Sequence, residues 1–423
     1  MLLIKNSYRI DPRSGQEGIC DILVDGGKVA RIGDSGTWQD TAAAPVYDAG
    51  GLIAAPGLVD VHVHFRDPGF TYKEDIESGG RAAARGGFTT VVLMANTKPV
   101  VDNVQTLSYV LEKGKKTGIH VESCCAVTEG LKGEKLTNMS ELLQSGAAGF
   151  TDDGIPLLDE TIVRRAMKQA AELGTVLSFH EENPAYIVNN GIHAGAASAH
   201  YGIGGSPREA EISMVERDVR LALETGAAVN FQHISTKEAV ALIREAKKRG
   251  TNIHAEATPH HFTLNEEAAI QFGTLAKMNP PLREEADRLA IIEGLCDGSV
   301  DLIATDHAPH SSEEKERPIT EAPSGIIGLE TALALGITSL VEPGYLTMME
   351  LLRKMTWNPA SLYHFDRGYL AEGGPADIVL FDPKQKHVLR EFASKSSNTP
   401  FAGMELTGKV VCTICQGKVV YQA

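Results

Sequence analysis

Between residues 55 and 365 the sequence alternates short apolar runs with helix-patterned stretches, and this alternation limits the fold more than any other feature. Eight runs have the length and β-branched content of buried strands: Leu58–Phe65, Thr89–Met94, Val121–Ala126, Ala147–Thr151, Val176–His180, Val229–His233, Asn252–Glu256 and Val300–Asp306. Helical signals fall between several of them. Ala239, Leu242, Ile243 and Ala246 recur at helical spacing after a capping candidate, Ser235, and the pattern stops at Gly250. Asp159 to Leu173 opens on an Asp cap and stops at Gly174. Eight strands alternating with helices predict an α/β fold, a parallel TIM-like (β/α)8 barrel.

The two ends of the chain read differently. Leu2–Lys5 is a short strand, and Ile22–Ile32 is a hairpin around Asp25-Gly-Gly. Ala376–Pro383 and Lys409–Tyr421 are again short strands punctuated by Gly and Pro. The expected organisation is therefore a small β-sandwich assembled from both chain termini, residues 1–54 and 366–423, flanking a barrel over 55–365. Cys412 and Cys415 form a Cys-x-x-Cys inside a strand, where residues three apart face opposite sides, so a structural role is expected. Gly191–Ser206 reads as a long loop after the fifth strand and His310–Gly325 as a mobile loop after the eighth.

A formal net charge of −15 argues against nucleic acid or an anionic membrane as partner. It leaves an anionic substrate open, because one local Arg overrides a distant field. Apolar runs stay well short of the roughly 18 residues that a membrane span needs. Met1–Asn6 reads as a strand rather than a signal peptide, and six cysteines are too few for a disulfide framework. A reducing cytoplasm is the expected location.

Barrel active sites form at the C-terminal ends of the strands. The ionisable residues of this sequence fall there. His62 and His64 end the first strand on one face, since residues two apart point the same way. Asp152 and Asp153 follow the fourth strand, His180 ends the fifth, His233 the sixth and Asp306 the eighth. Taken singly, His180 or His233 reads as a buried histidine bonded to a carbonyl. Jointly, four His and two Asp suffice for two metal ions sharing one carboxylate, and such N/O donors suit Zn2+. Paired metals lower the pKa of a shared water from 15.7 towards about 7, and the hydroxide formed attacks an unreactive amide. Asp306 is assigned the proton transfer from water to the leaving nitrogen. His254, His260 and His261, read as sitting at the seventh strand end, are set aside as supporting or structural.

Val59–Pro68 (Val-Asp-Val-His-Val-His-Phe-Arg-Asp-Pro) with Ala304–His310 (Ala-Thr-Asp-His-Ala-Pro-His) resembles the cyclic amidohydrolases of the amidohydrolase superfamily. Asn96-Thr-Lys-Pro99, Phe150–Gly154, His233–Lys237 and Lys277–Arg283 narrow the resemblance to the dihydroorotases of the bacterial class I type, over nearly the whole chain. The resemblance implies a metal-dependent hydrolase that interconverts dihydroorotate and N-carbamoyl-aspartate in pyrimidine synthesis. It implies two zinc ions per chain, one held by His62, His64 and Asp306, the other by His180 and His233. Asp153, favoured over Asp152 by the motif, would bridge them together with a hydroxide. Related hydantoinases bridge with a carboxylated Lys, and no Lys stands in this motif. Arg66, Asn96 and His310 are implied around the substrate carboxylate, and His64, Asn279, Ser324 and Gly325 around the ring. Ser324 stands where the family often has Phe, and Ala95 where it often has Pro. A homodimer is implied, and in some relatives dependence on aspartate transcarbamoylase. The competing readings are a hydantoinase, dihydropyrimidinase or allantoinase, and a non-catalytic subunit of an aspartate transcarbamoylase complex; the filled ligand positions argue against the last.

Overall fold

The computed structural model describes residues 1–38, 44–250 and 252–423; the part of the 1–54 segment at 39–43 lies outside the described residues. Strands β1 (Leu2–Asp11), β2 (Gln16–Asp25) and β3 (Lys28–Gly33) form an antiparallel meander. Gly26 and Gly27 link β2 to β3 with φ of 56° and 78°, the left-handed pair that a two-residue hairpin loop requires. β4 (Val46–Asp48) and β5 (Ile53–Pro56) add to β1 in parallel.

The chain then builds the barrel from β6 (Leu58–Val63), β7 (Phe88–Leu93), β8 (His120–Cys125), β9 (Gly149–Thr151), β10 (Val176–Phe179), β11 (Ala228–Phe231), β12 (Ile253–Ala257) and β13 (Leu302–Ile303). Every expected run overlaps one of these strands, and they pair in sequence order. β13 is far shorter than its apolar run suggests, and beyond it Asp306 adopts φ 49°. The seam with β6 closes by other means. His64 N donates to His307 O at 2.8 Å, and the buried Asp60 carboxylate accepts from Thr305 N at 3.2 Å and His62 N at 3.1 Å.

Finally β14 (Ile378–Val388), β15 (Glu405–Cys415) and β16 (Lys418–Gln422) return to the first sheet, where β14 pairs with β5. The terminal unit is one continuous sheet in the order β16-β15-β14-β5-β1-β2-β3, with β4 on β1. Its flanks meet where Ala376 N donates to Gly27 O at 2.9 Å, enclosing Ile4, Ile22, Val24, Ile378 and Leu380. Cys412 lies in that core while Cys415 joins the barrel-side core, the opposite facing that strand geometry demands.

Local rules explain the helices. Asp159 caps Glu160–Leu173 through Thr161 N and Ile162 N, and Gly174 ends it at φ 66°. The cap of Lys237–Lys247 is Thr236 rather than Ser235: the Thr236 hydroxyl accepts from Ala239 N, and the buried Glu211 carboxylate holds the amides and hydroxyls of both residues. The 191–206 segment is not all loop; it contains the helix Ala196–Tyr201. Among the described residues no helix is long and apolar enough to cross a membrane.

The helix Ile76–Arg85 lies against the residue that precedes Arg66. A Cβ on Gly79 would sit 2.4 Å from Phe65 Cδ1, and Phe65 in turn meets His307 edge-on with ring centroids 6.1 Å apart. Overpacking here has no soft neighbour to absorb it, so Gly79→Ala is expected to destabilise by about 1–3 kcal/mol. Thermal unfolding checks this; an unchanged midpoint would show that the helix shifts freely.

Candidate active site

Three residues at the rim hold left-handed backbone without being glycine: Arg66 at φ 59°, His233 at φ 34° and Asp306 at φ 49°. Each follows a barrel strand, and such strain persists only where surrounding structure imposes it. His233 and Asp306 then meet the other ligand-type groups at one point, while Arg66 reaches Pro309 O and His310.

Asp153 occupies that point. Its Oδ1 lies 3.4 Å from His62 Nε2, 3.7 Å from His180 Nδ1 and 3.6 Å from His233 Nε2, and its Oδ2 lies 3.4 Å from His64 Nε2. Two triads of buried ligand-type groups therefore share it: His62, His64 and Asp153, and Asp153, His180 and His233. Asp306 closes the first, with Oδ1 3.0 Å from His64 Nε2 and 3.6 Å from His62 Nε2. Asp152, one residue earlier, faces away. Its carboxylate accepts from Val127 N at 2.7 Å, Thr128 N at 3.1 Å and the Thr128 hydroxyl.

The donor atoms fit a metal. His62 donates from Nδ1 to Glu256 Oε2 at 3.0 Å, which leaves a lone pair on Nε2 facing carboxylate oxygens. Neither that Nε2 nor Asp153 Oδ1 has a hydrogen-bond partner, although both are fully buried. Two facing acceptors repel, and a proton or a metal cation between them relieves this. The electrostatics point the same way. Burial lowers the His62 pKa, yet Asp153, Glu256 and Asp306 together hold it well above the usual value. Burial raises Asp306, and the His62 and His64 imidazoles hold it below the usual carboxylate range. Another cluster, His120, Asp377 and Cys415, lacks this signature. Its His120 Nε2 donates to Asp377 at 2.9 Å, Nδ1 meets the Gln416 amide at 3.3 Å, and none of its polar atoms is left orphaned.

Glu256, the last residue of the seventh expected run, is not among the residues singled out from the sequence; in the structure it lies inside β12 and bonds His62. It belongs to a buried chain: Tyr363 OH to Ser178 Oγ at 2.8 Å, Asn230 Nδ2 to Ser178 Oγ at 3.2 Å and to Glu256 Oε1 at 2.5 Å. An acid in an otherwise apolar inward strand is the sequence signal that could have found it. His254 is not at the strand end; it bonds Asp301 at 2.7 Å near the start of β12. His261 is spent on Thr258 and Pro280 O, and burial pushes His260 down to about 4.

Of the twelve site residues expected from the sequence, all but the deeper His62 line one cavity of about 360 Å³. Asn96 spans two of them, with Oδ1 3.0 Å from His64 Nδ1 and Nδ2 3.3 Å from Asp153 Oδ2. Asn279 Nδ2 lies 3.3 Å from His180 Nε2, and its buried Oδ1 has no partner. His310 is held as one neutral tautomer. Its Nε2 donates to Ser324 O at 2.9 Å, and its Nδ1 accepts from Lys73 Nζ at 3.3 Å. Arg66 donates from Nε to Pro309 O at 3.2 Å. Its Nη2 lies 3.3 Å from His310 Nε2, a nitrogen already committed as a donor, so this end of the guanidinium lacks an acceptor.

A parallel barrel with imidazoles and carboxylates converging on its C-terminal rim defines a class, and the chain belongs to it: the amidohydrolase family matches residues 53–420. Within that class its full-length relatives are dihydroorotases. The protein named dihydroorotase from Clostridioides difficile is 53% identical over 423 residues, covering 100% of both chains. That from Clostridium acetobutylicum is 51% identical, again over 100% of both. Among solved structures, L-hydantoinase (dihydropyrimidinase) from Arthrobacter aurescens superposes with a TM-score of 0.89 at 26% identity, covering 100% of this chain and 96% of its own. D-hydantoinase from a Thermus species shares the fold, with a TM-score of 0.86 at 24% identity over 100% of this chain and 96% of its own.

Proposed function

We propose that this chain is a zinc-dependent dihydroorotase that interconverts dihydroorotate and N-carbamoyl-L-aspartate in pyrimidine synthesis. The observation that carries the reading is the Arg66 guanidinium in the cavity wall, whose Nη2 end lacks an acceptor, backed by full-length identity to dihydroorotases. A dihydroorotate carboxylate matches that fork of donors; hydantoin and dihydrouracil have none to offer.

His62, His64 and Asp306 would hold one zinc, His180 and His233 a second, with Asp153 between them. When bound, the metal pair supplies carbonyl polarisation and an activated water. The rest falls to side chains. Asn96 orients His64 and Asp153 at once. Glu256 fixes the His62 tautomer so that Nε2 stays a lone-pair donor. Asp306 Oδ1 lies beside His64 Nε2, while Oδ2 has no partner among the described residues and is free to accept a proton. It takes the water's proton and delivers it to the ring nitrogen as the amide bond breaks; cyclisation runs the same transfer backwards. The hydantoinase likeness is a likeness of fold, and the bridging position here offers Asp153 rather than Lys. The soluble assembly is proposed to be a cytoplasmic homodimer, with aspartate transcarbamoylase as a partner that completes activity if the isolated chain lacks it.

The test pairs metal content with turnover. Dihydroorotate should be hydrolysed far faster than hydantoin by protein holding two zinc ions. Arg66→Met should lower kcat/KM for dihydroorotate by about 100-fold or more, leaving slow hydantoin hydrolysis little changed. Preference for hydantoin would overturn the assignment. Bound zinc without activity, restored by aspartate transcarbamoylase, would place the chain among partner-dependent forms.

A further inference from the structure

The segment 319–325, which supplies Ala322, Pro323, Ser324 and Gly325 to the cavity, is fastened by two buried lysines. Lys277 Nζ donates to Ile319 O and Ala322 O, both at 2.7 Å. Lys315 Nζ donates to Pro323 O at 2.9 Å and Gly325 O at 3.1 Å. Lys277 and Lys315 are 5% and 4% exposed, and among the described residues neither has a carboxylate within salt-bridge distance. Burial without an ion pair is costly for an ammonium. Burial accordingly pulls the Lys315 pKa down to about 7 and lowers that of Lys277. An aliphatic side chain would fill either space at lower cost, but it could not hold two carbonyls.

The same backbone is gripped elsewhere. Gly325 N donates to Lys277 O at 2.8 Å, Asn398 Nδ2 donates to Gly325 O at 3.1 Å, and His310 holds Ser324 O. Each carbonyl from 322 to 325 is thus bound by a side-chain donor. Of the backbone amides there, Ala322 N and Gly325 N are spent, and Ser324 N–H alone has no acceptor among the described residues. The expected mobile loop is in this stretch tied carbonyl by carbonyl.

We propose that Lys277 and Lys315 are positioning residues that set the ring-side wall of the cavity, presenting the 322–325 backbone, with the unpaired Ser324 amide, to the bound cyclic amide. This rests on the cyclic-amidohydrolase reading for its substrate, though not for the lysine contacts themselves. The lysines touch no reacting atom. Their loss blurs the wall, so it should be felt in substrate capture more than in bond breaking.

The test uses Lys315→Met, Lys277→Met and Lys315→Arg in the metal-loaded full chain. Each Met variant should raise KM for dihydroorotate about tenfold while kcat falls by less than about threefold, and Lys315→Arg should recover most of the loss. Hydrogen exchange followed by mass spectrometry should show amides of 319–326 exchanging faster in the Met variants, with barrel strands unchanged. A kcat loss without a KM change, or unaltered exchange in 319–326, overturns the proposal. If the Met variants do not fold, the wild type still decides: unprotected amides at Ala322 and Gly325 would refute the fastening. If dihydroorotate is not the substrate, the exchange result stands, and the KM comparison moves to whichever cyclic amide is hydrolysed.

Discussion

Asp306→Asn is expected to lose at least about a thousandfold in kcat, because its amide cannot carry the proton from water to the ring nitrogen. Asparagine is the informative replacement. It tolerates the left-handed backbone at φ 49° better than other residues, so the rim should keep its shape. The amide oxygen can keep the place beside His64 Nε2 that Asp306 Oδ1 holds at 3.0 Å. Circular dichroism and the unfolding midpoint should therefore stay close to wild type while dihydroorotate turnover disappears. Residual turnover within about tenfold of wild type would remove Asp306 from the proton path.

The second large effect separates two neighbouring carboxylates. Asp153→Ala should leave the protein unable to retain a metal pair, with activity below detection, because four imidazole nitrogens lose the carboxylate they share. Asp152→Ala should keep its metal and suffer in stability. Val127 N, Thr128 N and the Thr128 hydroxyl would lose their common acceptor, at about 1–3 kcal/mol for each buried donor left unpaired. Metal analysis by atomic absorption and thermal denaturation read the two phenotypes. If Asp152→Ala emptied the site and Asp153→Ala did not, their assignments would have to be exchanged.

That pair marks where sequence stopped being enough. The eight strands were legible because a fully buried parallel strand must be a short apolar run, and a helix between strands must repeat every third or fourth residue. The four histidines were legible because strand ends point at one place in a closed barrel. Asp152 and Asp153 could be told apart only by a family motif, since both follow the same strand and the turn's exact course is a tertiary matter. Ser235 looked like a cap, yet Glu211, distant in sequence, bonds both it and Thr236, and the helix starts from Thr236. Lys277 and Lys315 left no signal, because surface lysines are common and nothing local says that these two are buried.

The terminal sheet has a consequence for how the chain is made. β5 pairs with β1 on one side and with β14 on the other, so Ile53–Pro56 waits for a partner more than 300 residues downstream. During synthesis the N-terminal strands emerge first but have only half of their core; Ile4, Ile22 and Val24 stay uncovered until Ile378, Leu380 and Ile414 arrive. The barrel, whose neighbouring strands are neighbours in sequence, can assemble in the interval. Long-range pairings close slowly. The sheet cannot be sealed before both ends of the chain are made, and a chain stopped before residue 378 is expected to carry an open apolar edge able to pair with strands from other chains.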